Sequence, residues 1–337
     1  MKHTITLLPD NLQFLATEGN TLLEEALAAN LEFPFGCRNG ACGSCKSKVI
    51  KGEFDLGDIQ PGTLSEDEIA NGYALACCAK PLSDMVINVM QATRLDLPIK
   101  KMPTRVEKIQ NLADDVVQLF LKLPANDRFE YRAGQYINVE LSSGLTRAYS
   151  LASVSGQEYI ELHIRLTAGG LFSQHITEQM RERDILRIEG PLGTFHLRDS
   201  QKPAILLVGS TGFAPIKAII EESLQRGDHR QFLLYWGAAN LNGLYLNQLA
   251  EKWQKIYPHI KYIPVLSDVK AEDKWQGRSG LVHNAVLQDI SDLSGYQVYA
   301  CGGSKMIEAA HQDFCKQHLL EEEFFSDAFT PAASTQP

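Results

Sequence analysis

Phe35-Gly36-Cys37-Arg38-Asn39-Gly40-Ala41-Cys42-Gly43-Ser44-Cys45 is the stretch around which the chain is organised. Three thiols stand in a Cys-x4-Cys-x2-Cys spacing, and Cys77 follows in Leu75-Ala76-Cys77-Cys78. Four thiolates suffice for two irons bridged by sulfide, and this spacing is one that holds such a [2Fe-2S] cluster. The intervening residues suit that use, because a loop folded around a small cluster brings its backbone close and aims N–H groups at sulfur. Gly36, Gly40, Ala41, Gly43 and Ser44 leave the room, and the glycines permit positive φ. Zinc competes, since four cysteines also make a closed tetrahedral site, but zinc ribbons pair two Cys-x2-Cys knuckles and one is present here. A disulfide framework competes less well: seven cysteines in 337 residues are sparse and odd in number, and Met1-Lys-His-Thr-Ile-Thr reads as a strand rather than a targeting segment.

With this loop, residues 1–92 resemble a plant-type ferredoxin domain, a β-grasp fold. The resemblance makes Cys77 the fourth ligand beside Cys37, Cys42 and Cys45, because the family's last cysteine follows an apolar Leu-x step, here Leu75-Ala76. Cys78 is then a spectator. Residues 2–8 and 12–16 alternate as a hairpin, and Thr21-Leu-Leu-Glu24 is a capping box opening a helix to about residue 29. Residues 46–52 form a strand, Ser65-Glu-Asp-Glu68 caps a short helix, 73–76 leads into the fourth ligand, and 85–90 is the closing strand.

The bulk numbers set outer limits. A chain of 337 residues suits two or three domains, and a net charge of −9 argues against nucleic acid as a partner. Residues 1–92 hold 12 Asp/Glu against 6 Lys/Arg, either a docking face for a basic redox partner or ordinary solubility. No apolar run approaches 18 residues, so no membrane span is expected, and free thiols that bind iron fit a cytoplasmic monomer.

Beyond a linker at 93–103, marked by Pro98 and Pro103, six strand-like runs follow at 105–109, 116–123, 135–141, 147–152, 159–166 and 184–188. One helical segment at about 171–179 interrupts them, and the set predicts an antiparallel barrel over 104–199. From residue 200 strands (204–208, 232–236, 261–266, 297–301) alternate with helices (214–225, 244–256, 281–289, 304–317). That rhythm predicts a doubly wound parallel sheet over 200–330, with a disordered tail at 331–337. The fold class expected is therefore multidomain α+β and α/β.

Arg147-Ala-Tyr149-Ser150 on a barrel strand, with Gly134-Gln-Tyr136 before it and His163-Ile-Arg165, Gly169-Gly170-Leu-Phe-Ser173 and Gly190-Pro-Leu-Gly193-Thr-Phe195 after it, resembles the flavin domain of the ferredoxin–NADP reductase superfamily. The resemblance implies FAD. Arg147 offers a planar fork to a pyrophosphate, Tyr149 a π-face and hydroxyl, and Ser150 a hydroxyl for flavin N5. Gly170 opens the helix containing Ser173, whose N–H groups suit phosphate. His163 and Arg165 either flank the ribityl phosphate or, for His163, form a satisfied strand histidine.

Gly209-Ser210-Thr211-Gly212-Phe213-Ala214-Pro215, where strand becomes helix, resembles the Gly-Gly-Thr-Gly-x-Ala-Pro loop of the same superfamily. A serine at position 210 costs little there provided its φ is negative. Tyr235 and Cys301-Gly302 lie at carboxyl ends of strands, where ligands bind in open α/β sheets, and the resemblance implies that Cys301-Gly302 lies near the nicotinamide; the plain alternative for Cys301 is a buried strand cysteine. Residues 238–245 lack an arginine to clamp a 2′-phosphate, which favours NADH over NADPH. Phe329, in Phe324-Phe325-Ser-Asp-Ala-Phe329, resembles the C-terminal aromatic that covers the flavin; Phe325 or a core role would fit the same residues.

The domain order resembles the reductase components of aromatic-ring dioxygenases, of phenol and methane monooxygenases, and the CDP-6-deoxy-glucoseen reductases, to the last of which the loop sequences are most similar. It implies electron flow from NADH through FAD and the cluster to a terminal oxygenase, hydroxylase or deoxysugar dehydratase. Two other readings compete: a reductase serving diffusible acceptors, and a non-catalytic redox sensor with no use for the nucleotide loop.

Overall fold

The computed structural model describes residues 1–89, 92–141, 144, 146–270 and 274–329. The tail at 331–337 and the end of the 85–90 strand expected from sequence lie outside them. The chain forms two compact units: residues 1–98 with 193–195 and 328–329, and residues 99–192 with 196–327.

In the first unit the order is β1 (Lys2–Leu8), β2 (Leu12–Thr17), α1 (Leu22–Ala28), β3 (Leu31–Glu32), β4 (Lys46–Lys51), β5 (Phe54–Asp55), α2 (Glu66–Ala70), β6 (Tyr73–Leu75), β7 (Lys80–Pro81), β8 (Met85–Asn88) and β9 (Thr93–Arg94). Both capping boxes form as the sequence predicts: Thr21 Oγ1 accepts from Glu24 N and Ser65 Oγ from Glu68 N, each glutamate reaching back to its cap. The sheet order is β2-β1-β8-β4-β6, so β8 pairs parallel with β1 in the middle rather than closing an edge. Helix α1 buries Leu22, Leu23 and Ala26, and the cluster loop spans the connection from β3 to β4.

The second unit opens with β10 (Lys100–Ala113), β11 (Val116–Lys122), β12 (Tyr136–Glu140), β13 (Thr146–Ser150), β14 (Tyr159–Arg165), the single turn α3 (Leu171–Gln174), extended by a π-turn at His175–Gln179, and β15 (Ile185–Leu192). The order β13-β12-β15-β10-β11-β14 is antiparallel throughout. The Leu151–Leu162 bridge and the Ala152 N to Glu161 O bond (2.8 Å) close it into the expected barrel.

The linker is shorter than the sequence suggested. Strand β9 pairs with β3, and β10 already pairs with β15 from Lys100 onward. Met102, Thr104 and Val106 alternate inward and are buried, so the stretch is a barrel strand despite its proline. Pro103 is tolerated because β11 joins β10 only from Arg105, leaving its missing N–H on an open edge.

The remainder runs β16 (Ala204–Gly209), α4 (Phe213–Gln225), β17 (Phe232–Ala238), α5 (Asn247–Ile256), β18 (Ile260–Leu266), β19 (Arg278–Ser279), α6 (Val282–Asp289), β20 (Gln297–Gly303), α7 (Ser304–Lys316) and β21 (Phe324–Phe329). The sheet order is β19-β18-β17-β16-β20-β21, with β16, β17, β18, β19 and β20 parallel. Residues 204–208 are buried without alternation, as expected of a strand covered on both faces. The chain proceeds from β16 to β17 on one side and returns to β20 on the other, so the switch point lies between Gly209 and Gly302.

Met102→Ala should destabilise the second unit by about 2 kcal/mol or more, where an exposed linker methionine would change it by under about 0.5 kcal/mol. The urea midpoint for release of flavin fluorescence measures the difference.

Candidate functional site

The cluster-loop sulfurs influence one another in two pairs, Cys37 with Cys42 and Cys45 with Cys77. Cys42 N and Ala41 N donate to Cys37 Sγ at 3.3 and 3.4 Å, and Cys37 N donates to Cys42 Sγ at 3.4 Å. Two sulfurs per pair is what a two-iron cluster requires, two cysteinyl ligands to each iron. The hydrogen bond from Cys42 holds Cys37 down to about 6, and that from Cys45 lowers Cys77, giving each pair one sulfur near its thiolate form.

Cys78 joins this group through Cys77, the two sulfurs lying 3.6 Å apart in hydrogen-bond contact. A turn brings them together, Cys78 N and Ala79 N both donating to Leu75 O at 2.9 and 2.8 Å. Burial, with the neighbouring Cys77, pushes the Cys78 thiol up to about 12, a direction it shares with Cys42 and Cys45. Gly40 has φ +73°, and a Cβ there would sit 2.8 Å from Cys78 Sγ, so the loop closes over this corner only with glycine.

On β13 the alternation holds: Arg147 and Tyr149 are half-buried and Ser150 is buried. Arg147 Nη1 donates to Thr146 O at 2.8 Å. The Tyr149 ring packs against Phe172 with centroids 5.0 Å apart, and burial pushes its hydroxyl well above the ordinary phenol range. Ser173 Oγ accepts from Thr167 N at 2.8 Å, and Gly170 is the N-cap of α3. Arg165 forms an ion pair with Asp115.

His163 takes the plainer of its two readings. Its side chain has no exposed area; Nε2 meets Glu161 Oε1 at 2.7 Å and Nδ1 meets Tyr245 Oη at 2.9 Å. With Glu161 ionised, Nε2–H donates and Nδ1 accepts the tyrosine proton, leaving no ring atom for a flavin. Tyr235 is corrected likewise. It is 1% exposed and its hydroxyl donates to Asp289 Oδ2 at 2.8 Å on α6, away from the nucleotide edge.

The switch-point turn is tight. Gly209 ends β16, Ser210–Gly212 forms a 3-10 turn, and α4 begins at Phe213. A Cβ on Gly212 would lie 2.2 Å from the Cys301 carbonyl oxygen, so only glycine lets the turn touch β20. Thr211 is buried beside it, and Gly302, at φ +149°, lies where a Cβ would meet the Gly209 backbone at 3.1 Å. Ser210 has φ +56°, not the negative value under which a serine is cheap, at a cost of roughly 1–2 kcal/mol. Trp236 holds it there: its Nε1 donates to Ser210 O at 3.0 Å while its ring stacks on Phe213 with centroids 3.8 Å apart.

Ser150 and Cys301, predicted from separate domains, converge on a residue the sequence reading passed over. Asp327 Oδ2 accepts from Ser150 Oγ at 3.2 Å and lies 4.0 Å from Cys301 Sγ. Burial, and then Asp327, push the Cys301 thiol well above its ordinary range, so it remains a neutral donor. Phe329 closes β21, half-buried. Phe325 is engaged elsewhere, stacked on Tyr299 at 4.9 Å with the Arg198 guanidinium 5.2 Å from its ring.

Comparison with known proteins follows the same division. Residues 5–82 match a 2Fe-2S iron-sulfur cluster binding domain, 103–197 an oxidoreductase FAD-binding domain, and 206–312 an oxidoreductase NAD-binding domain. The chain is 39% identical to the CDP-6-deoxy-L-threo-D-glycero-4-hexulose-3-dehydrase reductase of Yersinia pestis, over 98% of this chain and 100% of that protein. It is 34% identical to the phenol 2-monooxygenase reductase component of a Pseudomonas species, over 99% of this chain and 96% of that one. The solved structure of the Amycolatopsis cytochrome P450 reductase GcoB matches with a TM-score of 0.80 and 31% identity, covering 98% of this chain and all of the other.

Two outcomes follow from the geometry. Cys78→Ala should retain the iron and labile sulfide of the parent, and Cys77→Ala should lose most of both; the reverse pattern would exchange their roles. Ser210→Gly should raise the stability of the second unit by up to about 1 kcal/mol, the relieved αL strain less the added unfolded-state entropy, seen as a higher urea midpoint.

Proposed function

The chain belongs to the reductases that join a 2Fe-2S cluster domain to FAD-binding and NAD-binding oxidoreductase domains, and on that premise we propose that it supplies single electrons to a CDP-sugar dehydrase, with an oxygenase component as the second candidate. It is an oxidoreductase whose cofactors are NAD, FAD and the [2Fe-2S] cluster. When bound, NADH would supply a hydride, FAD would take the pair and pass electrons on singly, and a cluster held by Cys37, Cys42, Cys45 and Cys77 would carry one at a time. The dehydrase is placed first because the full-length relative of that kind is 39% identical, against 34% for the phenol monooxygenase component.

The observation that carries the reading is the meeting of Ser150 and Cys301 at Asp327 beside the switch point, where nucleotides bind in open parallel sheets. In this reading Ser150 directs its hydroxyl at the flavin and Cys301 borders the nicotinamide. Asp327 orients both, holding the serine hydroxyl as its donor and keeping the thiol protonated. Arg147 meets the flavin pyrophosphate, Tyr149 the ring and ribityl chain, and Gly170 and Ser173 a phosphate. Gly209, Thr211, Gly212 and Gly302 admit the nicotinamide nucleotide, and Phe329 covers the flavin. Cys37, Cys42, Cys45 and Cys77 hold the cluster. The absence of arginine from residues 238–245 supports NADH over NADPH.

We further read the protein as a cytoplasmic monomer. None of its seven cysteines is in a disulfide, which suits a reducing compartment, and no helix among the described residues is long and apolar enough to cross a membrane. Sedimentation at a mass near 37.5 kDa supports the monomer and twice that value refutes it.

The decisive experiment separates the flavin from the cluster. In Cys42→Ser, bleaching of flavin absorbance by NADH should proceed within about twofold of the parent, while reduction of cytochrome c, a one-electron protein acceptor, should fall at least about 50-fold. Equal cytochrome c reduction by both proteins would mean that electrons leave from the flavin, as in a reductase for diffusible acceptors.

A further inference from the structure

Polar groups that neither cofactor reading uses join the two halves of the second unit. Lys217 on α4 is buried, and its Nζ donates to the Ala152 carbonyl (2.9 Å), Glu161 Oε2 (3.0 Å) and Glu221 Oε2 (2.9 Å). Ala152 and Glu161 are barrel residues, bonded to each other at the seam where the barrel closes. Glu161 Oε1 takes Gln118 Nε2 at 2.5 Å and His163 Nε2 at 2.7 Å, and His163 Nδ1 meets Tyr245 Oη from the nucleotide half. Burial alone would raise the Glu161 carboxyl, but His163 and Lys217 draw it down to about 2, so it is ionised in the network. The Tyr245 ring packs edge-on against Trp236 at 5.3 Å, and Trp236 holds the Ser210 carbonyl. The seam two residues beyond Ser150 is thus tied at two points to the elements that carry the nucleotide turn.

Cohesion alone does not call for such a network, because a buried ion pair gives up hydration that well-packed apolar residues never had to lose. Directional bonds add register, since an apolar face tolerates a slide that a three-way ammonium site does not. Register matters here because Ser150 and Cys301 belong to opposite halves and must present two reactants at near-contact distance, where a misplacement of about 1 Å costs on the order of 100-fold in rate.

We propose that Lys217, Glu161, His163 and Tyr245 are positioning residues for hydride transfer, fixing the barrel's flavin edge against the nicotinamide edge through their bonds to one another. This rests on the assignment of Ser150 and Cys301 to the two sides of that step. The pair substitution Lys217→Met with Glu161→Gln removes the buried ion pair, and the remaining partner of Lys217, Glu221, is 28% exposed and can turn to water. The holoprotein should keep its FAD and cluster content and its melting temperature. In stopped flow, the flavin reduction rate at saturating NADH should fall between about 10- and 100-fold, with the half-saturating NADH concentration within about threefold and the long-wavelength NADH–flavin charge-transfer band diminished. Tyr245→Phe, which deletes one hydroxyl, should slow the same rate severalfold and decides the matter if the pair variant does not fold. A limiting rate within twofold of the parent and an unaltered band, in the pair variant or failing that in Tyr245→Phe, overturn the proposal. If Ser150→Ala and Cys301→Ala also reduce their flavin at the parental rate, the assignment of the site itself has failed instead.

Discussion

The Asp327 carboxylate, buried between a serine hydroxyl and a cysteine thiol, is the constraint on which the second unit depends. A carboxylate removed from water is costly unless its oxygens are bonded, so Ser150 and Cys301 are held in place by the need they satisfy. Burial keeps Cys301 protonated, which preserves it as a donor, whereas a thiolate would face the carboxylate as a second negative charge. The two donors come from different architectures, an antiparallel barrel strand and a parallel sheet strand, and the acceptor from the last strand of the chain. The site therefore exists only when three segments, separated by up to 177 positions, have assembled.

Glycine and tryptophan provide the matching constraint on the nucleotide side. Gly212 is pressed against the Cys301 carbonyl, so the turn after β16 approaches β20 more closely than any side chain allows. The Ser210 backbone absorbs the resulting turn in a conformation that L-residues resist, and the Trp236 indole bond and its stack on Phe213 resist relaxation. Strain at one residue and rigidity at its neighbour are two aspects of one close approach. They keep the α4 N-terminus and the Cys301 peptide at the same edge.

Much of this was legible because it is local. Cysteine spacing, the Thr21 and Ser65 capping boxes, and the change from strand-only to alternating rhythm near residue 200 are short-range patterns, and each appears in the structure as read. What resisted reading is side-chain pairing over long separations. Tyr235 has the sequence position of a nucleotide contact, but Asp289, 54 residues later, claims its hydroxyl. His163 has the position of a flavin contact, but Glu161 and Tyr245 claim both ring nitrogens. Asp327 carried no signal, since one acid among aromatics in a terminal strand looks like a solvated residue until its neighbours are known. Pro103 misled for the opposite reason: the local rule against proline in strands is sound, but β10 has an open edge there that only the register reveals.

Charge in the first unit bears on the direction of electron flow. Its first 92 residues carry twice as many acids as bases, so an electron arriving at the cysteine loop adds negative charge to an already negative domain. Fields of this kind favour the oxidised state and a low potential, and the loop's N–H donors to sulfur oppose them over short range. The two influences differ in reach. Surface acids act through solvent and are screened beyond about 8 Å at physiological ionic strength, whereas N–H groups 3.3–3.4 Å from sulfur are not. Exposed acids therefore act on the sulfurs only through screened fields, while the backbone donors act on them directly.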